Sequence, residues 1–160
     1  MKNFKLNEKD ILSNQDWTFP TTTYYGPGRL NEIGKFCEEF DIKNPLIVTD
    51  SGSKDLPFIK KLIALLSKNN IKSDLFYNIS PNPRDDEISK GCDQFKNGSH
   101  DSIIAIGGGS AMDGGKSICL TVNSETPLWD FEFEQPVPKI TKENAFPKII
   151  TIPTTAGTGA

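Results

Sequence analysis

Residues 102–121 read SIIAIGGGSAMDGGKSICLT, and this stretch decides the fold. Four consecutive apolar residues, 103–106, precede three glycines and then a run of small and apolar residues. That order is typical of a buried strand, a tight loop and the start of a helix. The glycines let the main chain turn sharply and let a ligand approach without a Cβ in its way. The amides that open the helix would face that ligand, so a phosphate or diphosphate is the expected occupant.

Helical and strand-like segments alternate from residue 29 onward. The predicted helices are RLNEIGKFCEEF (29–40), DLPFIKKLIALLSKNN (55–70) and a segment through Ile88 and Phe95 that Asn97 and Gly98 close. The predicted strands, besides 103–106, are PLIVTD (45–50), IKSDLFYNI (71–79) and KIITIP (148–153). Residues 123–147 indicate an excursion over the surface. The alternation predicts an α/β fold, with a Rossmann-like parallel sheet and flanking helices.

The glycine loop matches neither of two familiar nucleotide motifs. In the GxGxxG fingerprint the third glycine would fall on Met112. In the GxxxxGK[ST] loop the first glycine would fall on Ser110, and Asp113 would bring a carboxylate toward the triphosphate. A glycine-rich turn that only brings a strand and a helix together is the structural alternative to a phosphate site.

Polar residues also follow two other predicted strands. Asp50 ends PLIVTD, where open α/β sheets place their ligand crevice. A carboxylate there can accept hydrogen bonds from the hydroxyls of an adenosine ribose and would repel a 2′-phosphate, which favours NAD over NADP. Capping of the turn at residues 51–53 is an equally good explanation of Asp50. Thr154, Thr155 and Thr158 in PTTAGTG could donate hydroxyls from across the same crevice, although alone this is a polar turn.

The charge of the chain and the length of its apolar runs indicate which partners and which location to expect. The chain has 160 residues with 18 basic and 21 acidic side chains, a formal charge of −3. Without clustered Lys and Arg, neither nucleic acid nor a membrane surface is an expected partner. The amino terminus lacks the apolar region of a secretory signal and no apolar run is long enough to span a bilayer, so a cytoplasmic location is expected. Homo-oligomer formation is left open.

Cysteine and histidine usage provides no metal-binding motif. Cys37, Cys92 and Cys119 form no CxxC pair and are predicted to be reduced thiols packed on helix faces. His100 is the only histidine, so no His-rich metal site or catalytic triad can be built from it. It is expected to be a solvated loop residue at the end of its strand that is opposite to the crevice.

Five segments in order, FPTTTYYGPGRL, LIVTD, SPNP, IIAIGGGSAMDGGKSI and IPTTAGTG, closely resemble the amino-terminal half of iron-containing alcohol dehydrogenases. The resemblance runs from about Phe19 to Ala160. It implies a dinucleotide-binding domain over 1–160, followed in the family by an all-helical domain that holds Fe²⁺ or sometimes Zn²⁺. The family's metal ligands, one aspartate and three histidines, would lie beyond this chain, so no metal ligand and no catalytic residue is assigned within it.

The resemblance also implies the cofactor site. Its expected residues are Asp50 at the adenosine ribose, Asn82 of the PNP motif, Gly107, Gly108, Gly109 and Ser110 at the diphosphate, Asp113 near the nicotinamide, and Thr154, Thr155 and Thr158. Two features depart from the family. Gly114 and Gly115 replace the small or helix-favouring residues common after the aspartate, which predicts a softer junction between loop and helix. Ala160 stands where serine is frequent.

The function expected from the resemblance is the NAD-binding part of a metal-dependent alcohol dehydrogenase that acts on primary alcohols, diols or aldehydes. The chain stops inside a loop of small residues, so it is expected to be a fragment and to be inactive alone. Two alternatives remain open. One is a stand-alone nucleotide-binding module without catalysis, and the other is a relative of glycerol dehydrogenases or dehydroquinate synthases.

Overall fold

The computed structural model describes the main chain of residues 15–18, and residues 21–132, 134, 136, 138, 141–142 and 145–160 with their side chains. Its first elements are two short antiparallel strands that pair with each other, β1 (Gln15–Thr18) and β2 (Thr22–Tyr25). A 3-10 turn (Arg29–Glu32) then leads into helix α1 (Ile33–Glu39). The rings of Tyr24 and Phe36 lie 4.4 Å apart between centroids, so the hairpin packs on α1.

Four parallel strands form the main sheet, in the order β4-β3-β5-β6. The strands are β3 (Pro45–Asp50), β4 (Asp74–Ile79), β5 (Ser102–Gly107) and β6 (Lys148–Pro153). The helices that connect them are α2 (Pro57–Lys68), α3 (Asp85–Asn97) and α4 (Gly109–Thr121), and a 3-10 turn follows α4 at Leu128–Phe131. The predicted α/β fold, with a Rossmann-like parallel sheet and flanking helices, is confirmed.

Helices cover both faces of the sheet and create two apolar cores. On one face, residues of α1 and α2 pack on Ile47 and Ile104. On the other face, residues of α3 and α4 pack on Leu46 and Ile103. Neighbouring residues of one strand therefore enter opposite cores, as the two-residue period of a strand requires. Because both faces are buried, the central strands are continuous apolar runs rather than alternating ones.

The order of the strands creates a switch point between β3 and β5. The chain passes from β3 outward to β4, and then crosses back to β5 on the other side of β3. Counted within the sheet, this is the order 2-1-3-4 of flavodoxin-like doubly wound sheets. The connections that leave β3 and β5 run in opposite directions, so a crevice opens between the carboxyl ends of these two strands.

Helix α4 lies unusually close to the sheet because of two glycines. A Cβ on Gly114 would lie 2.8 Å from Ile79 Cδ1, and one on Gly115 would lie 2.5 Å from the Cβ of Ala105. Real Cβ atoms do not approach other carbons so closely. A Cβ on Gly115 would meet the rigid Cβ of Ala105, whereas one on Gly114 would require the Ile79 side chain to move. The softer junction expected from helix propensity is therefore offset by tight contact with β4 and β5.

At the amino edge of the sheet, where the parallel strands begin, side chains bond to main-chain groups of neighbouring loops. The carboxylate of Asp101, just before β5, accepts the N–H groups of Lys43 at 2.8 Å and Asn44 at 3.0 Å. The Asn44 side-chain amide donates to the carbonyl oxygens of Gly98 at 2.9 Å and Ser99 at 3.1 Å. These bonds tie the loop before β3 to the loop before β5.

His100 also lies at the amino edge. It is not the solvated residue expected from the sequence. Its side chain is fully buried, because Gly98 and the Phe95 ring cover it. Its Nδ1 lies 2.9 Å from the carbonyl oxygen of Asn44, which can only accept, so Nδ1 carries a proton. Its Nε2 lies 3.4 Å from Asp74 Oδ2 at the start of β4.

The three cysteines are free thiols on helices, as predicted. Cys37 and Cys119 are buried and Cys92 is half-buried. Burial raises the pKa of both buried thiols to about 11, and the charge of Asp101 adds to the effect at Cys37. Burial also raises the pKa of Cys92. No helix among the described residues has the length and apolar character needed to cross a membrane.

Candidate functional site

Asp50 is the last residue of β3, and its carboxylate lies at the carboxyl edge of the sheet. Its Oδ1 accepts the N–H of Gly52 at 3.1 Å and its Oδ2 accepts the hydroxyl of Ser53 at 2.7 Å. The turn cap that the sequence offered as an alternative is therefore present. Each carboxylate oxygen has a second lone pair, so the same group can still accept hydroxyls from a ligand.

Gly107 brings the glycine loop into direct proximity with Asp50. It ends β5 at φ +147, a main-chain conformation that residues with a Cβ rarely adopt. A Cβ here would lie 2.7 Å from the Cβ of Ala111 and 3.1 Å from Asp50 Oδ2. Beside them, the buried hydroxyl of Thr49 donates to the carbonyl oxygen of Ile106 at 2.7 Å. This bond, which the sequence did not predict, joins β3 to β5 at the switch point.

Helix α4 begins directly after this loop, with Gly108 as its N-cap and Gly109 as its first residue. Glycine has no side-chain oxygen with which to cap the first amides, unlike the Ser, Thr, Asp or Asn that usually stand there. The helical ladder starts where the N–H of Met112 donates to the Gly108 carbonyl at 3.1 Å. The amides of Gly109, Ser110 and Ala111 precede that ladder. The positive end of the helix therefore presents main-chain donors to an anionic ligand.

The segment after β6 lies along the glycine loop. The N–H of Thr154 donates to the Gly107 carbonyl at 2.8 Å, which extends the β5–β6 ladder past the strand. A Cβ on Gly108 would lie 3.5 Å from Thr155 Oγ1, and one on the next glycine would lie 3.1 Å from the Cβ of Thr158. All three threonines are exposed. They border the crevice on the side opposite to Asp50.

The other two predicted site residues are Asn82, in the loop after β4, and Asp113, in α4. Asn82 is exposed three residues after β4 and adopts φ +56, in the left-handed region. Asp113 is exposed one turn into α4. Among the described residues, no hydrogen bond or ion pair joins either of them to Asp50. The structure thus brings together Asp50, the glycine loop and the threonines.

Two surface cavities contain none of these predicted site residues. One, of about 760 Å³, is at the amino edge and is lined by residues that include Asn44 and Asp74. The other, of about 400 Å³, lies between α3 and α4 and is lined by residues that include Ile88 and Leu120. The candidate site lies outside both cavities, along the carboxyl edge of the sheet, and is bordered by glycines and threonine hydroxyls.

Comparison with known proteins identifies the family to which this arrangement belongs. The model of the family described as iron-containing alcohol dehydrogenase matches residues 20–160. The chain belongs to the iron-containing alcohol dehydrogenase family. The resemblance found in the sequence motifs is confirmed, and it extends over nearly the whole chain.

Individual members of the iron-containing alcohol dehydrogenases cover this chain well but are much longer. The 1,3-propanediol dehydrogenase of Klebsiella pneumoniae is 29% identical over 147 residues, which are 91% of this chain and 37% of that protein. The crystal structure of a 1,3-propanediol oxidoreductase matches with a TM-score of 0.74 at 30% identity, covering 83% of this chain and 34% of that one. A sulfoacetaldehyde reductase from Bifidobacterium kashiwanohense in complex with NAD⁺ has a TM-score of 0.71 at 28% identity, covering 84% and 34%. The chain therefore spans little more than a third of their length.

Proposed function

We propose that this chain is the NAD-binding part of an alcohol dehydrogenase that transfers hydride between NAD and a primary alcohol, a diol or an aldehyde. The main support is that Asp50 lies beside the glycine loop from which α4 starts, at the switch point of the sheet. Membership in the family supports the type of reaction. The NAD⁺ bound by the sulfoacetaldehyde reductase supports the identity of the coenzyme. In this proposal, residues 1–160 form the dinucleotide-binding domain.

The diphosphate would be held by the main-chain amides of Gly108, Gly109 and Ser110. These amides stand at the positive end of a 13-residue helix and have no side-chain cap from the N-cap residue. Two negative phosphates gain from that partial charge and from direct N–H donation. The absence of Cβ atoms on the glycines lets the diphosphate come close to the main chain.

The adenosine ribose would be held by Asp50. Its carboxylate is oriented by Gly52 and Ser53 and can accept from the two ribose hydroxyls. A 2′-phosphate would bring about two negative charges against the same carboxylate, and like charges at hydrogen-bond distance repel strongly. This is the basis for a preference for NAD over NADP.

Thr154, Thr155 and Thr158 would bind the coenzyme from the β6 side, while Asn82 and Asp113 would bind it at the two margins. The nicotinamide ring of a bound NAD supplies the hydride acceptor. Among the residues that the structure describes, no three His, Cys, Asp or Glu side chains are placed to hold a metal ion. The iron of the family is therefore not assigned to these residues, and no step of this proposal passes through it.

Calorimetric titration of the full chain with NAD and with NADP tests the proposal. Wild type should bind NAD more tightly than NADP. Asp50→Asn keeps an oxygen that can accept the Gly52 N–H but removes the charge, so it should weaken NAD by about tenfold and reduce the discrimination against NADP. Asp55→Asn, at an exposed carboxylate of the same loop, is the matched control and should leave both affinities unchanged. Wild type that binds neither nucleotide would overturn the proposal.

A further inference from the structure

The carboxylate of Glu87 lies in the first turn of α3 and is 8% exposed. Its Oε2 accepts three hydrogen bonds: from the N–H of Ser80 at 3.2 Å, from the hydroxyl of Ser80 at 3.1 Å and from the N–H of Arg84 at 3.2 Å. Its Oε1 lies 3.5 Å from Arg84 Nη2. The Glu87 side chain therefore bonds to both Ser80 and Arg84, which are four residues apart in the chain.

Those two points are the ends of the segment that carries Asn82. Pro81 and Pro83 flank Asn82 and have no N–H, so this segment has few main-chain donors with which to hold its own shape. Asn82 itself adopts the left-handed conformation that Asn tolerates better than most residues. The bonds to Glu87 thus fix the ends of a short exposed loop whose tip is Asn82.

Glu87 is suited to this role because it is ionised in the folded protein. Burial raises the pKa of Glu87, but hydrogen bonds from Ser80 and Arg84 and the Arg84 charge outweigh burial and hold that pKa below its ordinary value. The start of α3 adds a favourable dipole for a negative side chain. A carboxylate can accept all these bonds at once, whereas a neutral amide has only one oxygen and carries two N–H donors of its own.

We infer that Glu87 is a positioning residue for nucleotide binding, which acts by holding residues 80–84 so that Asn82 reaches the coenzyme. The inference rests on the proposed function, because it assumes that Asn82 contacts NAD. The competing explanation is that Glu87 only caps α3. A cap would contribute to stability and leave nucleotide affinity unchanged once the protein is folded, so the two explanations predict different measurements.

The test is a double-mutant cycle on the full chain, with the dissociation constant of NAD and the urea midpoint measured for each variant. We expect Glu87→Gln and Asn82→Ala each to weaken NAD by about fivefold. In the Asn82→Ala background, Glu87→Gln should cause no further loss, since Glu87 acts through Asn82. Asp86→Asn is the control, because it removes a neighbouring acid that also pairs with Arg84 but does not touch Ser80.

Each result decides the matter. The positioning role is wrong, while the proposed function stands, if wild type and Glu87→Gln bind NAD equally well. The same conclusion follows if Glu87→Gln weakens NAD binding as much in the Asn82→Ala background as in wild type. If wild type does not bind NAD, both are wrong. Should Glu87→Gln fail to fold, Ser80→Ala replaces it in the cycle, with an expected loss of about twofold because only one of the bonds is removed.

Discussion

The two edges of this parallel sheet use their polar residues in different ways. At the amino edge, Asp101, His100 and Asn44 bond to main-chain groups of neighbouring loops and close the fold. At the carboxyl edge, α4 starts from a glycine N-cap and the threonines after β6 are exposed. The polar groups named at the amino edge are used in bonds within the fold, whereas the first amides of α4 lack a side-chain cap and the threonines are exposed to solvent. Substitutions at the amino edge should therefore affect stability, and those at the carboxyl edge should affect nucleotide affinity.

The largest effect is expected at Gly107, where both properties depend on one residue. Gly107→Ala places a Cβ in a strained conformation and 2.7 Å from the Cβ of Ala111, so it should cost about 3 kcal/mol of unfolding free energy and most of the NAD affinity. Gly157→Ala is the control, because Gly157 also has positive φ, at +77, but nothing lies within 4 Å of its Cβ position. Its cost should be about 1 kcal/mol. Equal urea midpoints for the two variants would show that the crowding at Gly107 does not matter.

A substitution at the amino edge should affect stability alone. His100→Ala removes a buried ring and the hydrogen bond to the Asn44 carbonyl, so we expect a loss of about 2 kcal/mol in unfolding free energy. His100→Asn provides an amide donor close to the position of Nδ1 and should lose less. Both variants, once folded, should bind NAD as wild type does in calorimetry. A weaker NAD affinity in either would contradict the separation between the edges.

The converse is expected for the threonines. A variant with both Thr155→Ala and Thr158→Ala loses two exposed hydroxyls and should bind NAD about tenfold more weakly, a change of about 1.4 kcal/mol. Its urea midpoint should be unchanged, since exposed positions without buried contacts contribute little to stability. Thr151→Ala, on the exposed part of β6, is the control and should alter neither quantity. Destabilisation without loss of affinity would assign these threonines to the fold instead.

The smallest effect concerns the pH dependence of the stabilisation by Glu87. This residue sharpens the comparison because it both caps α3 and bonds to the loop that follows β4 at the carboxyl edge. At pH 7, Glu87→Gln should lower the unfolding free energy by about 1 kcal/mol. The pKa of Glu87 is lower in the folded protein than its ordinary value of 4.5, so the advantage of wild type is complete above pH 4.5 and declines as the pH falls through the lowered value. Urea unfolding from pH 7 to pH 3 measures the difference. The exposed control Glu38→Gln should unfold with nearly the same free energy as wild type at every pH. If the difference in unfolding free energy between wild type and Glu87→Gln grew on acidification, the prediction would be wrong.

The sequence predicts most of the fold because apolar periodicity reports burial directly. Residues 55–70 were predicted as a helix and α2 spans Pro57–Lys68, with Ile59 and Leu62 buried. Ile63 of the same helix is apolar but is 38% exposed, because it borders the cavity at the amino edge. The β1–β2 hairpin was not predicted. Its strands have four residues each, and its attachment depends on the contact between Tyr24 and Phe36, which no local pattern contains.

The candidate site is predictable where it depends on strand ends and not where it depends on tertiary contacts. Asp50 and Thr154 were expected at one edge because parallel strands bring their carboxyl ends together, and the structure has them there. Glu87 was missed, since a capping box has Ser or Thr at the N-cap and this chain has Arg84 there. Its partner Ser80 comes from the preceding strand end. Thr49 was missed because one hydroxyl in an apolar run gives no indication of its bond across the sheet.

The close contact of Gly114 and Gly115 with the sheet has a consequence for folding. Each glycine inside α4 costs about 1 kcal/mol of helix propensity relative to alanine, so this segment should be largely non-helical as an isolated peptide. The strands β4 and β5 supply the surface on which it becomes a helix. The amino-terminal end of α4 therefore depends on contact with those strands for its helical shape, so the motif in the sequence does not form the start of the helix by itself.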